Sequence, residues 1–132
     1  MNLRAVLAGL FAILVAAGPA RAQEVVLTGT LKAVAARGTI RLGVREGAVP
    51  FAFQNKAGQP VGFSVDICRG IAADVGTAIS QPLLDDDAPA WQRGLRIVYV
   101  PVAADARLAK LVSGEIDLEC GSTTDNAERE KT

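Results

Sequence analysis

Three short apolar runs, Thr39 to Val44, Leu95 to Val100 and Ile116 to Cys120, alternate or are β-branched. They are separated by stretches whose apolar residues recur at three- and four-residue steps. This strand–helix–strand–helix–strand order constrains the fold more than any other feature of the chain. It predicts an α/β architecture with a mainly parallel sheet, helices on both faces and right-handed crossovers. In the first run Ile40, Leu42 and Val44 share a face. Before it, Leu31, Val34 and Ala35 predict a short helix over Thr30 to Arg37, capped by Thr30 and stopped by Gly38.

The stretch between the first two strands holds more than a crossover. Phe51-Ala52-Phe53 and Pro60-Val61-Gly62-Phe63 flank Asn55-Lys56-Ala57-Gly58, which predicts a hairpin. Val65, Cys68, Ile71, Ala72 and Val75 then predict an amphipathic helix running to about Ala78, with Ser64 or Asp66 as its cap. Residues 80–94 carry Pro82, Asp85-Asp86-Asp87, Pro89 and Gly94 and read as a loop with a solvated charge run. After the second strand, Ala106 to Val112 predicts a short helix capped by Asp105.

Residues 1–22 precede all of this and have a different character. Arg4 is followed by an apolar run of 13 residues, Ala5 to Ala17, then Gly18-Pro19 and the small–x–small run Ala20-Arg21-Ala22. The run falls short of the roughly 20 residues a membrane-spanning helix needs, and its flanks are those of a secretory signal peptide cut before Gln23. The expected division is therefore a signal peptide at 1–22 and a single domain at 23–132. Without Arg4 and Arg21 the mature chain keeps 12 basic and 14 acidic residues, a balance that does not point to nucleic acid. Cys68 and Cys120 would meet oxidising conditions after export. The spacing alone leaves open whether they pair or are two small buried apolar residues. With two cysteines and no histidine a structural zinc site is not expected, and Asp85-Asp86-Asp87 lacks the spacing of a calcium loop.

In a parallel sheet, ligands bind outside the carboxyl ends of the strands. Those ends lead into Arg45-Glu46, Pro101 to Arg107 and Gly121 to Arg129. Arg45, Arg107 and Arg129 thus follow three different strands. The guanidinium is a rigid fork matched to carboxylate or phosphate, so three converging forks predict an anionic ligand. Taken one at a time, each reads more readily as a solvated surface residue. Ser122-Thr123-Thr124 adds hydroxyls and backbone N–H groups beside them.

Gly43-Val44-Arg45-Glu46 with Val49-Pro50-Phe51, Gly62-Phe63-Ser64-Val65-Asp66-Ile67-Cys68, and Leu118-Glu119-Cys120-Gly121-Ser122-Thr123-Thr124-Asp125-Asn126-Ala127-Glu128-Arg129 carry a family resemblance. They resemble the periplasmic amino-acid-binding proteins of ABC transporters, the family 3 extracellular solute-binding proteins, and among them the glutamate/aspartate-binding type. The resemblance implies lobe 1 of a type II periplasmic-binding-protein-like fold, incomplete, with the second lobe absent from a chain that stops at Lys131-Thr132.

It also implies roles. Arg129 would grip the ligand α-carboxylate with Thr124, and Ser122 would meet the α-carboxylate or α-amino group. Arg45 and Arg107 would neutralise the side-chain carboxylate, and Phe51 would wall the site. Ala104 stands where that pattern commonly has a serine. The implied function is periplasmic binding of an acidic amino acid for delivery to the membrane permease of an ABC transporter, with no cofactor, no metal and no catalytic residue. One face of a cleft, open to water, is expected to bind weakly. Two other classes share the fold: the ligand-binding ectodomain of a sensor, and a dehydratase-like enzyme whose candidate acid–base groups would be Glu46 and Asp105.

Overall fold

Ile40, Leu42 and Val44 have no accessible alternative to burial: their strand, β1 (Thr39–Val44), runs through the centre of a three-stranded parallel sheet. The computed structural model describes residues 26–124, 126–128 and 131. Helix α1 (Gly29–Arg37) leads into β1, and β2 (Gly47–Ala48), β3 (Ala52–Gln54) and β4 (Pro60–Val61) follow. The chain continues through α2 (Phe63–Ala78), β5 (Arg96–Pro101), α3 (Arg107–Val112) and β6 (Leu118–Cys120). The main sheet has the order β5-β1-β6, with β1 parallel to both neighbours. The short strands β2, β3 and β4 form a separate antiparallel sheet, so the expected hairpin gains one strand.

The core lies on one side of β1. Val34 of α1 and Val65, Cys68 and Ala72 of α2 close over Ile40, Leu42 and Val44, joined by Leu95 and Cys120. Each fully buried aliphatic side chain there contributes about 1.5–3 kcal/mol relative to exposure. On the opposite side Ile116 and Val102, the residues bracketing α3, pack directly over Gly43.

The helix spans fall close to the periodicity, but all three expected caps differ. Helix α1 begins at Gly29, so Thr30 sits inside the first turn, and the capping position Thr28 makes no side-chain cap bond. Its end does follow the pattern: Gly38 is left-handed at φ 67° and donates its N–H to the Val34 carbonyl. Helix α2 starts at Phe63 behind Gly62, whose φ of 127° is open to glycine and strained for other residues. Ser64 is not the cap because its hydroxyl donates to the Gly121 carbonyl at 2.7 Å. Asp66 stays in the first turn, where a carboxylate faces the positive end of the helix dipole. Helix α3 starts at Arg107 with Ala106 in the capping position, and Asp105 is exposed. The Asp85-Asp86-Asp87 run is exposed, as expected, and Asp86 makes a surface pair with Arg69 at 3.0 Å.

Two long-range contacts tie β6 to the rest. Cys68 of α2 and Cys120 form a disulfide, with Cα atoms 6.1 Å apart and a sequence separation of 52. Just before β6, the Asp117 carboxylate accepts from Arg37 Nη2 at 2.6 Å and from the Arg41 backbone N–H at 2.9 Å. The Arg41 side chain donates to both of its oxygens at 3.3 Å. Burial works to raise the Asp117 pKa, but the bonds from Arg41 and Arg37 outweigh it and hold the carboxyl below its ordinary value.

A lowered folded-state pKa means that this stabilisation is complete above the ordinary carboxylate range and is lost as pH falls through the folded value, below about pH 4. Asp117→Asn should therefore cost about 1–3 kcal/mol at pH 7. It should also flatten the acid limb of stability, read as urea midpoints at pH 7 and pH 3. Closing a loop of this length corresponds to about 4 kcal/mol in the chain-entropy treatment. Replacing both cysteines by serine should lower stability by about 2–4 kcal/mol, and a thiol titration of the unfolded wild-type chain should find no free thiol.

Candidate functional site

The parallel register sets Val44 of β1 level with Pro101 of β5 and with Cys120 of β6, so three segments leave the sheet at one edge. They are Arg45-Glu46, Val102 to Arg107 and Gly121 to Thr124. A cleft of about 310 Å³ opens there, lined by Arg45 to Gly47 and by Pro101 to Ala104. Its volume is at the small end of the range for ligand pockets.

Arg45 and Arg107 are both brought to this edge. The Arg107 side chain is 13% exposed, and its Nε donates to Thr123 Oγ1 at 2.6 Å. Its Nη1 donates to the Ala104 carbonyl, and its Nε lies 4.0 Å from Glu119 Oε1. Arg45 reaches the same spot along β1: a methyl group on Gly121 would sit 3.3 Å from Arg45 Cδ and 2.3 Å from Glu119 Oε1. A side chain at 121 would therefore push the Glu119 carboxylate away and crowd the arginine stem. Glu119 Oε1 is buried and makes no hydrogen bond among the described residues.

The other expected residues are placed differently. Ser122 and Thr124 are exposed on the loop after β6, and Thr123 between them is half-buried. Phe51 lies in the turn before β3, outside the lining of this cleft; its carbonyl accepts from the Ser64 N–H and its side chain is largely exposed. Arg129 falls outside the described residues. Glu46 lines the cleft and accepts a hydrogen bond from Gln54 at 2.9 Å on an exposed surface. Among the described residues no group of three or more His, Cys, Asp or Glu could hold a metal ion.

Sequence reasoning treated Glu119 only as part of a motif and Thr123 only as one hydroxyl among three. A signal for Glu119 was present. In Leu118-Glu119-Cys120 the strand period turns Glu119 away from the face that buries Cys120, toward the side where Arg107 returns. For Thr123 there was no comparable signal, since a loop has no period.

The arrangement can neutralise an anion: Arg45 lines a small cleft, Arg107 is bonded to Ala104 of that lining with a carboxylate behind it, and Ser122 and Thr124 are exposed on the adjoining loop. Comparisons with known proteins agree with that chemistry. Residues 40–132 match the bacterial extracellular solute-binding proteins, family 3. The chain is 35% identical over 106 residues to the L-glutamate/L-aspartate-binding protein of Pseudomonas aeruginosa, covering 80% of this chain and 32% of that one. It is 32% identical over 133 aligned positions to the glutamate/aspartate import solute-binding protein of Escherichia coli, covering 99% of this chain and 40% of that one. The chain thus spans about a third to two fifths of the length of these relatives. Among solved structures it resembles an ancestral amino acid-binding protein described as a precursor of cyclohexadienyl dehydratase. That match has a TM-score of 0.61 and 27% identity, over 79% of this chain and 38% of the other.

Proposed function

Because the chain belongs to the bacterial extracellular solute-binding proteins of family 3, we propose that it binds an acidic amino acid, glutamate or aspartate, in the periplasm and serves the membrane permease of an ABC transporter. The observation that carries this reading is the pairing of Arg45 and Arg107 at one end of the sheet. The Arg45 stem and the Arg107 guanidinium lie against Gly121 and Glu119, and Arg45 lines a cleft of about 310 Å³ beside them.

A neutral ligand has one carboxylate to satisfy; an acidic ligand has two, and the second needs its own cation. Arg107, with Arg45, takes the side-chain carboxylate. Ser122, Thr124 and Arg129 take the α-carboxylate, and Phe51 walls the site as ligand and loops draw together. Arginine suits this task because its fork meets both carboxylate oxygens, which a lysine ammonium does not. Glu119 leaves the Arg45–Arg107 pair with a single excess positive charge, matched to one side-chain carboxylate. No catalytic step belongs to this reading, which takes support from relatives named for binding and import. Residues 1–22 serve as the export signal.

A fully exposed ion pair contributes about 0–1 kcal/mol; the Arg107 side chain is only 13% exposed, so its contact with a carboxylate is worth more. Arg107→Ala should weaken glutamate binding at least about tenfold, the effect of a lost charge-assisted contact of about 1.5–3 kcal/mol. Glutamine binding should change by less than about threefold. Titration by heteronuclear NMR, which reads millimolar affinities, checks this; equal losses for the two ligands overturn the assignment of Arg107.

A further inference from the structure

The Ser122-Thr123-Thr124 loop alternates in exposure, with its middle residue turned inward. Thr123 Oγ1 accepts from Arg107 Nε, Arg107 Nη1 donates to the Ala104 carbonyl one turn before it, and Glu119 stands behind. These contacts use two of the three guanidinium nitrogens and leave Nη2 as the one they do not engage. An arginine held by two hydrogen bonds in different directions has its plane fixed, and a fixed fork loses less rotamer freedom when it meets a carboxylate.

We infer that Thr123 is a positioning residue: its hydroxyl holds the Arg107 guanidinium so that Nη2 faces the carboxylate of the ligand side chain. The inference rests on the acidic-amino-acid reading above. Glu119 supports Thr123 from behind. Its Oε1 has no accessible surface and lies against Gly121, so it acts on the arginine and cannot reach a ligand in the cleft. Because Thr123 is bonded in sequence to Ser122 and Thr124, the same loop sets the distance between the two ends of the ligand. Loss of the Thr123 bond then affects the acidic ligand selectively, since a neutral ligand does not call on Arg107.

The test is titration of the wild-type chain, Thr123→Val and Thr123→Ser with L-glutamate and L-glutamine. Valine keeps the shape of threonine and removes the acceptor, while serine keeps the acceptor. Thr123→Val should weaken glutamate about tenfold and leave glutamine within about twofold, and Thr123→Ser should restore glutamate to within about threefold of wild type. Should circular dichroism show Thr123→Val unfolded, Thr123→Ala carries the same expectation. Wild-type binding of glutamate with an unchanged or equally weakened pair of ligands in Thr123→Val overturns the positioning role alone. Failure of serine to restore glutamate overturns it as well. A wild-type chain that does not prefer glutamate over glutamine overturns the acidic-ligand reading, and the inference falls with it.

Discussion

Parallel pairing of β1 with β5 on one side and β6 on the other is the constraint from which the rest of the structure follows. Parallel neighbours cannot be joined by a tight turn, so each crossover must climb back along the sheet, and a helix is the usual way to do so. The chain meets that demand with α2 in the first crossover and α3 in the second. The same pairing leaves three carboxyl ends level at one edge, where backbone groups have no further strand to bond and the loops are free to carry function. The small antiparallel sheet of β2, β3 and β4 is inserted at that edge, directly after Arg45, and so borders the cleft without interrupting the main ladder.

Strand β6 has only three residues and would be a weak member of the sheet on ladder bonds alone. Side-chain interactions hold it at both ends. Before it, Asp117 binds Arg37 and Arg41; at its end, Cys120 is bonded to α2, and one residue further Ser64 holds the Gly121 carbonyl. Both α2 contacts come from adjacent turns of the helix, so the start of the loop that follows is fixed against a rigid element. A site built at such a junction keeps its geometry better than one on a free loop.

Each end of the sheet sets two arginines near one carboxylate, but the pairing differs. At the amino end of β1 Arg37 and Arg41 both hydrogen-bond to Asp117. At the carboxyl end Arg107 Nε lies 4.0 Å from Glu119 Oε1, which makes no hydrogen bond among the described residues, and the Arg45 stem lies close by. The first arrangement stabilises the fold. The second leaves guanidinium groups short of a hydrogen-bonded carboxylate partner, as a site for an anion requires.

The sequence by itself determined the elements and their order. The alternation of Ile40, Leu42 and Val44 marked β1 to its observed ends, and the spacing of Val65, Cys68 and Ala72 marked the buried stripe of α2. Arg45 and Arg107 could be singled out because the strand order says where ligands bind, and the motif after β6 pointed to an amino-acid ligand. Tertiary structure decided the partners. Thr30, Ser64 and Asp105 were reasonable caps by local chemistry, yet none is one, and Ser64 instead reaches a carbonyl 57 residues away. Whether Cys68 meets Cys120, whether Glu119 stands behind Arg107, and which hydroxyl of three turns inward were likewise matters of approach across the fold. The physical reason is that periodicity reports which face of an element is buried, a local property of the chain. A hydrogen bond or ion pair between distant residues depends on distances of a few ångströms that only the packed sheet and helices establish.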